Sequence, residues 1–200
     1  MSGKLFLILN IKDKWSGIKD VEPVLRRFII NTLFDSTFTL VGIIVSSAFI
    51  QNPEIRVTLG TMISSSVALG ISTGTSVYEA ESLEGEKDIK EKERALLEDL
   101  EGTQITKNTK RKAFYISLFS MLTPLFICSL TIPPFVLALI GLINVHMASW
   151  FAIGISFAIL FFAGIYFDGH RKKSALIKGV RMVLLGTLAF LLGYWIKSLF

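Results

Sequence analysis

From Ala113 to Phe167 the chain carries no Asp, Glu, Lys or Arg. A run that long is too apolar for one element of a small soluble domain, since about 18 such residues already read as a helix crossing a bilayer. Pro133-Pro134 interrupts it, so it divides into two helices joined by a short hairpin near Gly141–Val145. Three further apolar stretches bring the expected spans to about 28–50, 57–79, 113–134, 146–167 and 176–196. A mean hydropathy of +0.58 agrees with an integral membrane protein. The expected fold is therefore all-α, with five transmembrane helices and a short charged helix between the second and third.

Charge placement orients these spans. All but Arg56 and Lys197 of the 21 Lys and Arg fall in the N-terminal segment, the 80–112 loop or the turn into the fifth span. Basic residues stay on the cytoplasmic side. The N-terminus is expected in the cytoplasm and the C-terminus outside, in a multi-pass protein of the cell membrane. The formal charge of +5 is then a matter of topology, and no nucleic-acid binding is expected. Four segments follow: a cytoplasmic lead-in (1–27), spans one and two (28–79), a cytoplasmic acidic helical insert (80–112) and spans three to five (113–200). The lead-in carries four lysines among its first 20 residues and too little apolar length for a secretory signal. Leu5–Leu9 and Ile11 suggest a short helix or strand resting on the membrane surface.

Asp35 stands out against this background. A helix beginning after it would keep only Ser36–Ile50, too short for the roughly 20 residues a span needs. The carboxylate therefore lies about two turns inside the first span, where an unpaired charge costs several kcal/mol. A partner, a proton or a metal ion must offset that cost.

Other candidate chemistry is thin. Cys128 is the one cysteine, which excludes an internal disulfide and a CxxC metal site. His146 and His170 flank the fourth span on opposite sides and cannot share a zinc ion. No nucleophile–base pair and no glycine-rich phosphate loop is visible, so an enzyme is not expected. The second span is rich in Ser, Thr and Gly, with Gly70 and Gly74 four apart, a spacing that lets helices pack closely. Its hydroxyls could equally line a polar path. Pro124 interrupts the third span, and Gly179, Gly186 and Gly193 put a glycine face on the fifth.

The insert is where acidic residues gather. Ten of the sixteen lie between Glu79 and Glu101, and a charged helix is expected to about Leu100, with Gly102-Thr103 as its stop. Opposite charges four apart, such as Glu86 with Lys90, support that helix. Glu84 and Asp88 repel at the same spacing unless something neutralises them. Carboxylates grouped in this way are hard-oxygen ligands suited to divalent cations.

These residues resemble the vacuolar iron transporter family of divalent-metal carriers. The likeness runs from Arg27-Phe28-Ile29-Ile30 and Phe34-Asp35-Ser36-Thr37 through the Ser/Gly-rich second span to Glu79, Glu81 and the Glu/Lys-rich helix. It continues in Ile132-Pro133-Pro134-Phe135 and in Lys178-Gly179-Val180-Arg181-Met182. The resemblance implies a homodimer that exports ferrous iron or manganese from the cytoplasm, generally in exchange for protons. It further implies a pathway lined by the first spans and an insert that collects ions. Asp35 matches the family's intramembrane carboxylate. Val67 and Ile71 depart from the family, which has a methionine and a glutamate there, and Met62 is an imperfect substitute about one and a half turns away.

The expected metal ligands are Asp35, Thr39, Glu79, Glu81 and Glu84, with Ser65 or Ser66 in reserve. The divalent cation is a transported substrate, and no cofactor is expected. Two aspartates facing each other across a dimer axis would repel, and sharing a proton or a cation relieves that repulsion. The rival reading is a non-transporting scaffold or assembly component, in which Asp35 bonds to a second-span hydroxyl and the charged helix docks a soluble protein. A carrier of a different cation is the other alternative.

Overall fold

The structure is a computed structural model that describes residues 2–48, 53–100, 102–166 and 172–198. Gln51-Asn52 (the expected end of the first span), Glu101 and His170 lie outside the described residues, as do the side chains of the Leu5–Ile11 segment. Six helices are present and no strand occurs among the described residues: α1 (Ser2–Ala48), α2 (Ile55–Leu96), α3 (Gln104–Thr131), α4 (Pro133–Leu139), α5 (Val145–Tyr166) and α6 (Lys172–Ser198). Five stretches are long and apolar enough to cross a membrane: Pro23–Ser47 of α1, then α2, α3, α5 and Leu176–Ile196 of α6. The all-α multi-pass fold expected from the sequence is what the chain adopts.

Three boundaries differ from expectation. The lead-in is not a separate element, because α1 runs unbroken from Ser2 through Pro23. The Pro133-Pro134 pair opens its own short helix, since neither proline can donate the hydrogen bond that would continue α3. Gly141, at φ +80°, then turns the chain into α5. Finally α2 stops at Leu96, four residues early, where Leu97 takes φ +51°. The tip is closed by Leu100, whose amide donates to the Glu93 carboxylate at 3.1 Å. The Leu100 carbonyl accepts from the hydroxyls of Thr103 at 2.7 Å and Thr106 at 2.8 Å.

Helix length shows that part of α2 stands outside a bilayer. Its 42 residues reach about 63 Å at about 1.5 Å each, twice the roughly 30 Å apolar core. The excess is the charged C-terminal half.

The chain divides into two compact units. The first comprises Met1–Ile29 and Ile71–Met121. Here α2 presents Gly74, Val77, Glu81 and Gly85, three or four residues apart, as a buried face, and α3 presents Ala113, Ile116 and Ser120. Contact is close: a Cβ at Gly74 would lie 2.8 Å from the Met121 Cβ, and one at Gly85 would strike the Thr109 methyl.

The second unit comprises Ile30–Gly70 and Leu122–Phe200. Its core joins Leu40 and Ile44 of α1, Met62 of α2, Ile127 and Cys128 of α3, Phe135 of α4, and Ala148 and Ala152 of α5. In lipid this packing stabilises through close van der Waals contact, because the bilayer removes most of the hydrophobic drive between helices. The α6 glycines behave as their spacing predicts, with Gly179 against Gly164, Phe161 and Ile165 of α5, and Gly186 against Leu160 and Phe157. Buried hydroxyls turn back to their own helices: Ser66 donates to the Met62 carbonyl at 2.8 Å and Ser156 to that of Ala152 at 2.9 Å.

Candidate functional site

The expected metal ligands fall in both units. In the second, α1 buries Leu40, Val41, Ile44 and Val45. That choice of inner face turns Asn31, Asp35, Gly42 and Ser46 outward, and all four are exposed. Their spacings of four, seven and four set them along one line of the helix, at about 100° per residue. Asp35 thus lies on the outer surface of a span. No described residue pairs with its carboxylate. Thr39, one turn on and half-buried, likewise has no hydrogen-bonded partner among the described residues, whereas its neighbours Ser36 and Thr37 bond back to Thr32 (2.5 Å) and Leu33 (2.7 Å). A Cβ at Gly42 would meet nothing within 4 Å.

Of the second-span residues held in reserve, Ser66 turns away from Asp35: it is buried and spends its hydroxyl on its own helix. Met62 is fully buried and packs in the core. Val67 and Ile71 are exposed, at 41% and 53%. Three hydroxyls on the outer side of α2 are internally satisfied: Thr61 donates to Val57 at 2.8 Å, Ser64 to Gly60 at 2.7 Å and Thr75 to Ile71 at 2.9 Å.

In the first unit the three expected glutamates part company. Two residues apart on a helix means about 200° of rotation, and three means about 300°. Glu79 opens onto a groove of about 580 Å³ between α2 and α3, which also holds Glu86, Glu93, Asp99, Lys90 and Lys110. Glu84 is exposed. Glu81 is only 7% exposed, and its Oε1 has no hydrogen-bond partner. Burial pushes this carboxyl above the usual range, and Glu84 adds to the effect, while Lys112 of α3 and Arg27 of α1 pull it down. Glu81 is therefore the electrostatic meeting point of three helices, beyond the expected 57–79 span.

Among the described residues no group of three or more His, Cys, Asp or Glu is close enough to hold a metal ion. Sequence reasoning named Glu79 and the acidic 79–101 run but did not separate out the acids that share the groove. Glu79, Glu86 and Glu93 recur every seven residues and so share one side of α2, a signal that was available. The basic partners of Glu81 had no such signal, because they arrive from other helices.

No protein-family model and no solved structure matches this chain. It is 25% identical over 160 residues to an uncharacterised protein of Methanocaldococcus jannaschii, a match covering 78% of this chain and 80% of that protein.

Proposed function

We propose that this protein carries a divalent metal cation, manganese or ferrous iron, out of the cytoplasm in exchange for protons, and that it works as a homodimer. The observation that carries the reading is Asp35, exposed on the flank of a membrane span with Asn31, Gly42 and Ser46 along the same line. Lipid offers no donor to a carboxylate, and a charge at mid-bilayer costs about 2.5–3.5 kcal/mol even by the most lenient scale. A second copy pairing along this face removes Asp35 from lipid and sets two carboxylates near one axis. One cation or one proton shared between them relieves their repulsion, which is a physical basis for exchange. Thr39 adds an oxygen ligand. The acids of the α2–α3 arm, Glu79, Glu81 and Glu84 among them, raise the local cation concentration on the cytoplasmic side. An all-oxygen site favours manganese over ferrous iron. The resemblance to the vacuolar iron transporters supports the same reading.

Ion flux into proteoliposomes under a pH gradient tests it, with manganese, ferrous iron and magnesium compared. Manganese flux should drop at least tenfold in Asp35→Asn, and unchanged flux would refute the role of Asp35. A second reading, a scaffold that does not transport, is favoured by Val67 and Ile71, apolar where the family has ligands. Absence of flux for all three ions in well-folded protein selects it.

A further inference from the structure

We propose that the base of α3 is a docking site for the headgroups of anionic phospholipids, with Lys107 and Arg111 as its cationic contacts. The inference does not rest on the transport reading. It starts from how α3 divides its faces. Thr106, Thr109, Ala113, Ile116 and Ser120 turn toward the packed side: the last three are buried, and the Thr109 methyl is where a Cβ at Gly85 would fall. At about 100° per residue, the opposite side of the helix carries Lys107, Arg111, Phe114, Tyr115 and Leu118. All five are exposed, Phe114 at 54% and Tyr115 at 51%.

The order along that face is what a membrane surface requires. α3 has 28 residues, about 42 Å, so roughly eight residues exceed the roughly 30 Å apolar core. The helix is uncharged from Ala113 to its end, which places the excess at residues 104–112. Lys107 and Arg111 then stand at headgroup level, Phe114 and Tyr115 form the interfacial aromatic belt one turn deeper, and Leu118 faces acyl chains.

Charge decides the kind of lipid. The other two cations of this helix segment are engaged inward: Lys110 lines the groove with Glu86 and Glu93, and Lys112 acts on Glu81. Lys107 and Arg111 have no ion-pair partner among the described residues. Two outward cations above an aromatic belt complement a phosphate diester without a compensating choline, and each Lys or Arg near such a surface is worth about fivefold in binding.

Native mass spectrometry of the full chain in detergent, with dioleoylphosphatidylglycerol or dioleoylphosphatidylcholine added, tests the proposal. Phosphatidylglycerol should bind in preference to phosphatidylcholine. The double variant Lys107→Gln/Arg111→Gln should lower its occupancy by about 25-fold, two steps of about fivefold. The charge-conserving Lys107→Arg/Arg111→Lys should retain binding, which separates lost contact from misfolding. Lys87→Gln/Arg94→Gln removes the same charge from exposed positions of α2 and should leave binding unchanged. Equal losses in the two Gln variants, or equal binding of the two lipids, would overturn the site. Displacement of the lipid by an equal concentration of inorganic phosphate would overturn the choice of a lipid as its ligand.

Discussion

Replacing Gly164 by alanine drives a methyl group into the backbone of α6. The added Cβ would lie 2.8 Å from the Gly179 Cα, 3.0 Å from its nitrogen and 3.1 Å from the Lys178 carbonyl oxygen. None of these atoms can rotate away, so the two helices must separate locally. Overpacking of this kind costs about 1–3 kcal/mol, and contact with backbone points to the upper end. The reverse substitution, Gly179→Ala, meets Phe161 at 3.0 Å and Ile165 at 3.1 Å, both side chains that can shift, and should cost about 1 kcal/mol. Gly154, also in α5, has nothing within 4 Å of its would-be Cβ, so alanine there should be neutral or gain up to about 1 kcal/mol from helix propensity. At roughly 2–4 °C per kcal/mol for a chain of this size, Gly164→Ala should melt about 6–12 °C below wild type, Gly179→Ala a few degrees below it, and Gly154→Ala level with or above it. The chain supplies its own reporter: Cys128 is its single cysteine, free and buried, so a thiol-reactive fluorogenic dye reports its exposure on heating in detergent. Equal melting of the Gly164 and Gly154 variants would refute the close α5–α6 crossing.

The Glu81 carboxyl titrates higher in the fold than in the unfolded chain, so the fold disfavours its charged form. Stability should therefore fall as pH rises from the unfolded value of about 4.5 through the raised folded value, and Glu81→Gln should flatten that fall; thermal midpoints from pH 4 to 8 that run parallel in the two proteins would count against it. In a Cys128→Ala background, Gly42→Cys should cross-link two copies on oxidation while Gly154→Cys should not, read as dimer on a denaturing gel. No cross-link through Gly42 would argue against pairing along the Asp35 face.

Much of the fold was legible because apolar runs of span length admit few alternatives in lipid. The glycine face of α6 was legible for the same kind of reason, since a spacing of seven fixes a side of a helix whatever packs against it. What escaped was set by contacts between elements. α2 ends at Leu96 because Leu97 turns left-handed and Glu93 captures the Leu100 amide, and that arrangement depends on the return of the chain through Thr103 and Thr106. Composition around Glu79, Glu81 and Glu84 reads as one acidic cluster, yet helical rotation sends one into a groove, buries another and leaves the third outside. Met62 packs in the core because Thr58 and Ser66, four residues to either side, share its buried face.

Asp35 needed both kinds of information. The sequence placed a carboxylate inside a span but left open whether a hydroxyl of the second span covers it. The structure commits the Thr61, Ser64 and Ser66 hydroxyls to their own helix and turns Asp35 outward with Asn31, Gly42 and Ser46. A polar line on the outside of a membrane helix is unfavourable in lipid, and burying it inside this one chain would mean exposing Leu40 and Ile44 and dismantling the core they build. Covering that line from outside would satisfy Asp35 together with Asn31 and Ser46, which a proton on Asp35 alone would not, and the open space over Gly42 leaves room for a helix backbone to come close.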